Sequence, residues 1–115
     1  MARFYVSSHD VDDARDAADI LRAAGHEVVS TWHDQDAPPL SGTRSMRNFP
    51  QIRSCDVLVL IASDDPVPGG KLVEAGFALG CGKRVLTVGG IENAMLLGPG
   101  CAHLDGMSDL ATYAR

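Results

Sequence analysis

The feature that most constrains this chain is the unbroken run of apolar residues from Val57 to Ala62, which directly follows Asp56. Alternation of polar and apolar residues marks a strand with one face in water, whereas a continuous apolar run of this length is typical of a strand covered on both faces. The run is far too short to span a membrane. It therefore predicts a central strand, Asp56 to Ile61, between two layers of helix.

The segments on either side of this run alternate between strand and helix patterns. Residues rich in β-branched and aromatic side chains predict further strands at Phe4–Ser8, Glu27–Trp32, Arg84–Val88 and, at an edge, Ala102–Leu104. Helical spacing of apolar residues predicts helices at Val11–Ala24, Asn48–Ser54 and Lys71–Gly82, and a short one from Ser108. Pro50 is expected in the first turn of its helix, since proline lacks an amide donor.

Strands that alternate with helices in this way are joined by right-handed crossovers into a parallel sheet. A chain of 115 residues forms one core and has no second lobe to close over a ligand. We therefore predict a single α/β domain over residues 1–115. Its fold is expected to be flavodoxin- or Rossmann-like, with a parallel sheet of about five strands and helices on both faces.

The charge and the distribution of reactive residues exclude several classes of protein. A net charge of −5 argues against a groove for a nucleic-acid polymer, although it does not argue against a single nucleotide. The start of the chain lacks the pattern of a signal peptide, and the three scattered cysteines fit reduced thiols, so a cytoplasmic protein is expected. The four histidines lack the spacing of metal ligands, and we predict neither a metal nor a cofactor.

One carboxylate stands in an unusual place. Glu74 is the only charged residue between Leu72 and Cys81, in the helix that follows the loop Ser63–Gly70. A carboxylate on so apolar a helix loses several kcal/mol of hydration unless it is paired or faces a solvated cleft. A position in the first turn, which we expect for Glu74, would favour it through the helix dipole. Glu74 is thus a dipole-complementing residue, an arginine partner or a functional group at the ligand-binding edge of the sheet.

The run from Gly69 to Val85 resembles the nucleoside 2-deoxyribosyltransferase superfamily, whose pattern places a glutamate before a helix of small residues that ends in Gly-Lys-x-Val. Other stretches match the family in the same order along most of the chain. They are Tyr5 in the first strand, Gly25–Trp32, which is similar to the second strand of phage-type members, Asp56–Val59 in the third strand, and Asn93–Leu96, which resembles an Asn-x-Met segment. The likeness also implies a phage or bacterial source.

This resemblance implies an enzyme that cleaves the N-glycosidic bond of a (deoxy)nucleoside or nucleoside monophosphate, by base transfer or by hydrolysis. Glu74 would be the nucleophile at the anomeric carbon, and Tyr5 would hold its carboxylate. An anion beside the sugar stabilises an oxocarbenium-like transition state and can form a glycosyl-enzyme. Asp64 or Asp65 would bind sugar hydroxyls, although both are also ordinary turn residues.

The resemblance implies further contacts with the substrate. Gly69 and Gly70 would line the site before the glutamate. Asn93 would reach the active site of a neighbouring subunit, which implies a homodimer or larger homo-oligomer with a shared site; otherwise Asn93 is a turn residue. Arg44 and Arg47, together with Ser7 and Ser8, could hold a phosphate, although surface arginines need no ligand.

The chain departs from the family at two positions. Asn48 stands where an aspartate is frequent, and an amide can hydrogen-bond a base but cannot supply a proton at neutral pH. Asn48 could instead simply cap its helix. Ser8 replaces a frequent glycine and brings a hydroxyl beside the ligand.

Two other interpretations stay open. The first is a binding module that senses or sequesters a nucleotide, with Asn48 marking weakened catalysis. The second is a TIR-like NAD hydrolase, because Phe4–Asp10 followed by a helix and the Gly25 turn is similar to the opening of that fold. Each interpretation expects a small nucleoside or nucleotide ligand, and none expects a nucleic-acid polymer or a membrane.

Overall fold

The structure is a computed structural model that describes residues 1–34, 42–62, 69–90 and 93–115, without the side chains of residues 42–44 and 94. Five strands form one parallel sheet in the order β2-β1-β3-β4-β5. Their bounds are β1 Arg3–Ser7, β2 Glu27–Val28, β3 Val57–Ile61, β4 Arg84–Val88 and β5 Cys101–Leu104. The middle strand is the apolar run, and all of its residues are buried. The predicted fold class is therefore confirmed.

Helices cover both faces of this sheet. The helices are α1 Val11–Ala23, α2 Gly42–Ser54, α3 Gly69–Gly80 and α4 Met107–Tyr113, with a 3₁₀ turn at Ala94–Leu96. The crossover from β1 to β2 and the crossover from β3 to β4 run in opposite directions along the sheet, so right-handed connections place α1 and α3 on opposite faces. Helix α4 contacts α1, and α2 contacts α3. The pair α2 and α3 thus forms the layer that carries the candidate site.

The predicted bounds of α2 were wrong. The helix begins at Gly42 rather than near Asn48, and Pro50 lies in its interior rather than in its first turn. The missing amide of Pro50 leaves the carbonyl of Met46 without its helical donor, and both residues are exposed, so water can replace that donor. Asn48 is therefore an interior helical residue, and the alternative that it caps the helix is wrong.

The second strand is also shorter than predicted, because it ends at Val28 instead of Trp32. Side chains take over the backbone groups of β1 that a longer strand would have bonded. The amide of Val6 donates to Ser30 Oγ at 3.0 Å, and Trp32 Nε1 donates to the carbonyl of Val6 at 2.7 Å. The segment after β2 thus holds the edge of β1 through buried side chains rather than through a strand ladder.

Helix α3 is less enclosed than its apolar sequence suggested. Val73 is 59% exposed, and the buried residues of the helix form one face, Lys71, Ala75 and Ala78. Glu74 lies in the second turn of α3 rather than in the first, so the helix dipole favours its carboxylate less than we expected. Within the described ranges, no helix has the length and hydropathy needed to cross a bilayer.

Candidate functional site

Strand β1 supplies two hydroxyl groups at the point where the strand order reverses. Tyr5 and Ser7 are two residues apart, so their side chains lie on the same face of the sheet, and both are fully buried. β1 pairs with β2 on one side and with β3 on the other, which makes this position the switch point of the sheet. Ligands of doubly wound folds bind in the crevice beyond the carboxyl ends of such strands.

The two hydroxyls converge with an amide on the carboxylate of Glu74. Ser7 Oγ donates to Glu74 Oε1 at 2.8 Å, the Tyr5 hydroxyl donates to Oε2, and Asn48 Nδ2 donates to Oε2 at 3.2 Å. The donors come from β1 and α2, whereas the acceptor comes from α3. Hydrogen bonds of this kind stabilise the ionised form of a carboxylate and fix its orientation. The result is an oriented anion in a half-buried position at the carboxyl edge of the sheet.

The amide of Asn48 has only one orientation that suits this site. Its nitrogen faces Glu74, whereas a flipped amide would direct Oδ1 against a carboxylate oxygen. In the observed orientation Oδ1 is buried and has no partner among the described residues. A buried acceptor left without a donor costs about 1–3 kcal/mol, and an N–H or O–H group of a ligand could satisfy it. Asn48 can therefore position the carboxylate and accept a hydrogen bond, but it cannot deliver a proton at neutral pH.

Ser8 and Asn93 make other contacts than with Glu74. Ser8 Oγ accepts from the amide of Asp10 at 3.1 Å, where the chain turns into α1. Asn93 Oδ1 accepts from the amide of Met95 at 3.0 Å, in the turn after β4. Both interactions are local ones. The substrate-binding roles predicted for Ser8 and Asn93 stay predictions.

The glycine pair and the arginines lie at or near the start of their helices. Gly69 and Gly70 open α3, are exposed, and have open space where a Cβ would stand. Arg47 is exposed on α2. Asp64, Asp65 and the side chain of Arg44, which were also predicted site residues, lie outside the described residues.

Lys71, in the first turn of α3, is only 7% exposed, although its immediate sequence neighbours gave no reason to single it out. Its spacing to Ala75, four residues later, was the available signal, because residues i and i+4 share a helix face. The same spacing argument places Lys71 on the face that packs against the sheet. A lysine on that face is uncommon, since lysine is almost never fully buried unless it is paired.

A second polar cluster supports the outer edge of β1. His33 is 1% exposed, its Nε2 lies 2.9 Å from Ser30 Oγ, and its backbone carbonyl accepts from Arg15 Nε at 2.8 Å. Burial lowers the pKa of His33 below its ordinary value of 6.5, although the nearby carboxylate of Asp34 acts in the opposite direction. The lowered pKa favours the neutral imidazole near pH 7, and its contact with Ser30 Oγ helps to hold Ser30 against β1.

The thiols take no part in these contacts. Cys55 is buried between the end of α2 and the start of β3, at the opposite end of β3 from the site. Burial raises the pKa of its thiol to about 11. Cys81 and Cys101 are half-buried and free. Across the described part of the chain, no group of three His, Cys, Asp or Glu side chains is placed to hold a metal ion.

Comparison with known proteins identifies the fold of this site. No protein-family model and no curated protein sequence matches the chain. Among solved structures, a 2-deoxyribosyltransferase from the psychrotolerant bacterium Bacillus psychrosaccharolyticus is similar over 97% of this chain and 92% of its own, with a TM-score of 0.79 and 24% identity. The CMP N-glycosidase of Clostridium botulinum is similar over 96% of this chain and 98% of its own, with a TM-score of 0.72 and 17% identity. This chain therefore has the fold of those two enzymes over nearly its whole length.

Proposed function

We propose that this protein is an enzyme of the nucleoside 2-deoxyribosyltransferase superfamily that cleaves the N-glycosidic bond of a nucleoside or nucleoside monophosphate. The observation that carries the proposal is the carboxylate of Glu74, held by three donors at the switch point of the sheet. The two similar solved structures support it, because one is a 2-deoxyribosyltransferase and the other is a CMP N-glycosidase. Their shared chemistry is the bond between a sugar and a base.

In the proposed reaction, Glu74 attacks the anomeric carbon of the sugar. The bond from that carbon to the carboxylate oxygen forms while the bond to the base nitrogen breaks, and the electron pair leaves with the base, which takes up a proton. A second base or a water molecule then attacks the same carbon, loses a proton and releases the carboxylate. Tyr5, Ser7 and Asn48 hold the attacking group in place, which limits the number of orientations it must search.

The proton for the leaving base comes from a group other than Asn48, because an amide does not ionise in this range. This point favours a second candidate function. Without an acid at this position, the same pocket could bind a nucleotide without turning it over, as a sensing or sequestering module does. Measured turnover separates the two candidates.

The first experiment offers the purified protein a panel of deoxynucleosides, ribonucleosides, their monophosphates and NAD, and measures the released base by chromatography. We expect release from at least one member and a loss of at least about 1,000-fold in Glu74→Gln, which lacks the nucleophile. Glutamine suits this control, because its oxygen can accept from Tyr5 and Asn48 while its amide donates to Ser7 Oγ. Absence of release from the whole panel would favour the binding module, and release that persists in Glu74→Gln would refute the nucleophile.

A second free base added to the same reactions distinguishes transfer from hydrolysis, since only a transferase forms the new nucleoside. Release of nicotinamide from NAD alone would instead support the TIR-like alternative. The wild-type protein and Glu74→Gln are compared in each reaction. Any product formed equally by both variants does not come from the proposed site.

We further propose that the site is shared between copies of the chain, with Asn93 reaching the sugar in a neighbouring subunit. Exposed apolar side chains next to this residue support such a contact, because Met95 is 79% and Leu97 is 73% exposed. Light scattering under assay conditions should give at least a dimer. A monomeric mass in a sample that releases base would refute the shared site.

A further inference from the structure

Val6 lies between the two residues of β1 whose hydroxyls hold the carboxylate of Glu74. Tyr5 and Ser7 both donate to that carboxylate from one face of the sheet, and the side chain of Val6 projects from the other face. Tyr5 and Ser7 pair with β3 in the register of the sheet, whereas the backbone amide and carbonyl of Val6 meet the segment that follows β2. The contacts of Val6 therefore influence where both hydroxyls stand.

Strand β2 ends before it reaches Val6. The backbone contact that follows β2 runs from the amide of Val29 to the carbonyl of Phe4, at 2.8 Å. The neighbours of β1 diverge at the switch point, because the ligand crevice of a doubly wound fold opens there. This divergence would leave the amide and the carbonyl of Val6 unpaired, and a buried backbone group without a partner costs about as much as a lost hydrogen bond. The end of β1 thus needs another source of hydrogen bonds.

Three buried side chains supply these bonds, and we call Ser30, Trp32 and His33 the β1 clasp. Ser30 Oγ accepts from the amide of Val6 at 3.0 Å, and Trp32 Nε1 donates to its carbonyl at 2.7 Å. His33 Nε2 lies 2.9 Å from Ser30 Oγ, and Arg15 Nε, from α1, donates to the carbonyl of His33 at 2.8 Å. Ser30 and His33 are 1% exposed, and Trp32 is 8% exposed. The clasp therefore joins β1 to α1 through buried polar contacts.

A longer β2 would have satisfied Val6 with backbone groups alone. The chain instead buries a hydroxyl, an imidazole and an indole N–H, which is unfavourable unless each is hydrogen-bonded. The clasp achieves what a longer β2 would not, because it holds the end of β1 while the crevice beside it stays open. Ser7 is the last residue of β1, so the hydroxyl that is most exposed to fraying lies next to the clasped residue.

We infer that the residues of the β1 clasp are positioning residues for the proposed reaction, which hold Val6 so that the flanking hydroxyls orient Glu74. The role in the reaction rests on the proposed function, whereas the coupling between the clasp and the carboxylate is a property of the unliganded protein. Hydrogen bonds weaken steeply outside a narrow range of distance and angle, so both hydroxyls must be in place together. A displacement of a reacting group by about 1 Å can lower a rate about 100-fold.

The first test needs no substrate. Urea unfolding of Tyr5→Phe, Glu74→Gln and the double variant gives the coupling energy between the two side chains, and the cycle is then repeated in a Ser30→Ala background. Trp32→Phe provides a second background, because it removes the donor to the carbonyl of Val6 and keeps an aromatic ring. We expect each background to reduce the coupling energy by about half or more, because the Tyr5 hydroxyl loses its optimal geometry.

Thr87→Val is the matched control for the clasp variants. Thr87 is fully buried, and its Oγ1 contacts His103 Nδ1 and donates to the carbonyl of Ala102 at 3.4 Å, so it also joins a strand to a neighbouring histidine. It lies on β4, which β3 separates from β1. Thr87→Val should lower the free energy of unfolding and leave the coupling between Tyr5 and Glu74 unchanged.

Two results of this first test would overturn the inference. One is a coupling energy that is the same in the wild-type protein, Ser30→Ala and Trp32→Phe. The other is an equal reduction in Thr87→Val, since the effect would then follow from lower stability anywhere in the sheet and not from the clasp.

The second test measures base release with the substrate that the panel identifies. Ser30→Ala and Trp32→Phe should lower kcat about 10- to 100-fold and leave KM within about threefold, because they change the orientation of the attacking group and not the contacts with the substrate. Thr87→Val should keep the kcat of the wild-type protein. If release depends on Glu74 while both clasp variants keep the wild-type kcat, or raise KM alone, the inference is overturned and the proposed function stands. If the coupling falls in the clasp variants but no substrate releases its base, the proposed activity is refuted, and only the coupling between the clasp and the carboxylate stands.

Discussion

Removal of the Tyr5 hydroxyl is the sharpest probe of the carboxylate site. Tyr5 is fully buried and donates to Glu74 Oε2. Tyr5→Phe keeps the ring and opens no large cavity, and it removes the hydrogen bond that the hydroxyl donates to the charged carboxylate. Such bonds contribute about 1.5–3 kcal/mol, compared with about 0.5–1.5 kcal/mol for a bond between neutral groups. We expect Tyr5→Phe to lower the free energy of unfolding by an amount in the first range.

A double-mutant cycle with Glu74→Gln isolates this interaction. In the glutamine background the partner is neutral, so the same tyrosine substitution should cost about 1 kcal/mol less. Urea unfolding followed by circular dichroism measures all four proteins, and it requires no substrate. Base release measures the functional part, for which we expect kcat/KM of Tyr5→Phe to fall about 10- to 100-fold. A coupling energy near zero together with unchanged kcat/KM would refute the claim that Tyr5 positions the carboxylate.

Three further predictions concern the frame around the site. Burial lowers the pKa of His33, so as the pH falls the unfolded chain takes up a proton at this imidazole before the folded chain does. The contribution of His33 to the free energy of unfolding is therefore complete above about pH 6.5. It decreases below that pH, by at most about 1.4 kcal/mol per pH unit. Urea titrations at pH 7 and 5 should show a smaller decrease for His33→Gln, and an identical decrease would contradict this reasoning. Cys55 is buried and its thiol has a pKa of about 11, so a thiol reagent at pH 8 should modify Cys81 and Cys101 first and Cys55 only after denaturant is added. Simultaneous reaction of all three cysteines would contradict this prediction. Gly89 has φ +92°, and an added Cβ would lie 3.0 Å from the Cβ of Ala62, so Gly89→Ala should destabilise the protein by at least about 1–2 kcal/mol in thermal unfolding. Gly76 lies inside α3 with open space where a Cβ would stand, so Gly76→Ala should stabilise the protein by about 0.5–1 kcal/mol. Equal melting temperatures for the two glycine variants would show that backbone strain does not govern Gly89.

The pattern of apolar residues was sufficient to predict the bounds of the strands that are buried on both faces of the sheet. β3 and β4 were predicted within one residue, because strands buried on both faces are largely apolar and β-branched along their length. The beginning of α2 was missed, because residues 42–47 have no apolar period that would predict a helix. The end of β2 was missed because Ser30 and Trp32 bond β1 through side chains, which no strand propensity encodes.

Some residues of the candidate site could likewise be identified from the sequence, and others only from the structure. The sequence singled out Glu74 as a carboxylate on an apolar helix and, through the family resemblance, Tyr5 as its partner. The contacts of Ser7 and Asn48 with that carboxylate depend on how β1, α2 and α3 meet, and residues so distant in sequence are brought within 3.2 Å only by the packed layers. The burial of Lys71 could not be predicted either, because a lysine beside a glycine pair is expected on the surface until it is known which face of the helix packs inward.

The sequence by itself therefore determined the parallel α/β class and the one carboxylate that needs an explanation, since both follow from the local order of apolar and charged residues. Only the tertiary structure decided which groups surround that carboxylate and which buried acceptor, Asn48 Oδ1, is left without a donor among the described residues. Hydrogen bonds and desolvation act over a few ångströms in space, and the folding of the chain, not its local pattern, sets those distances.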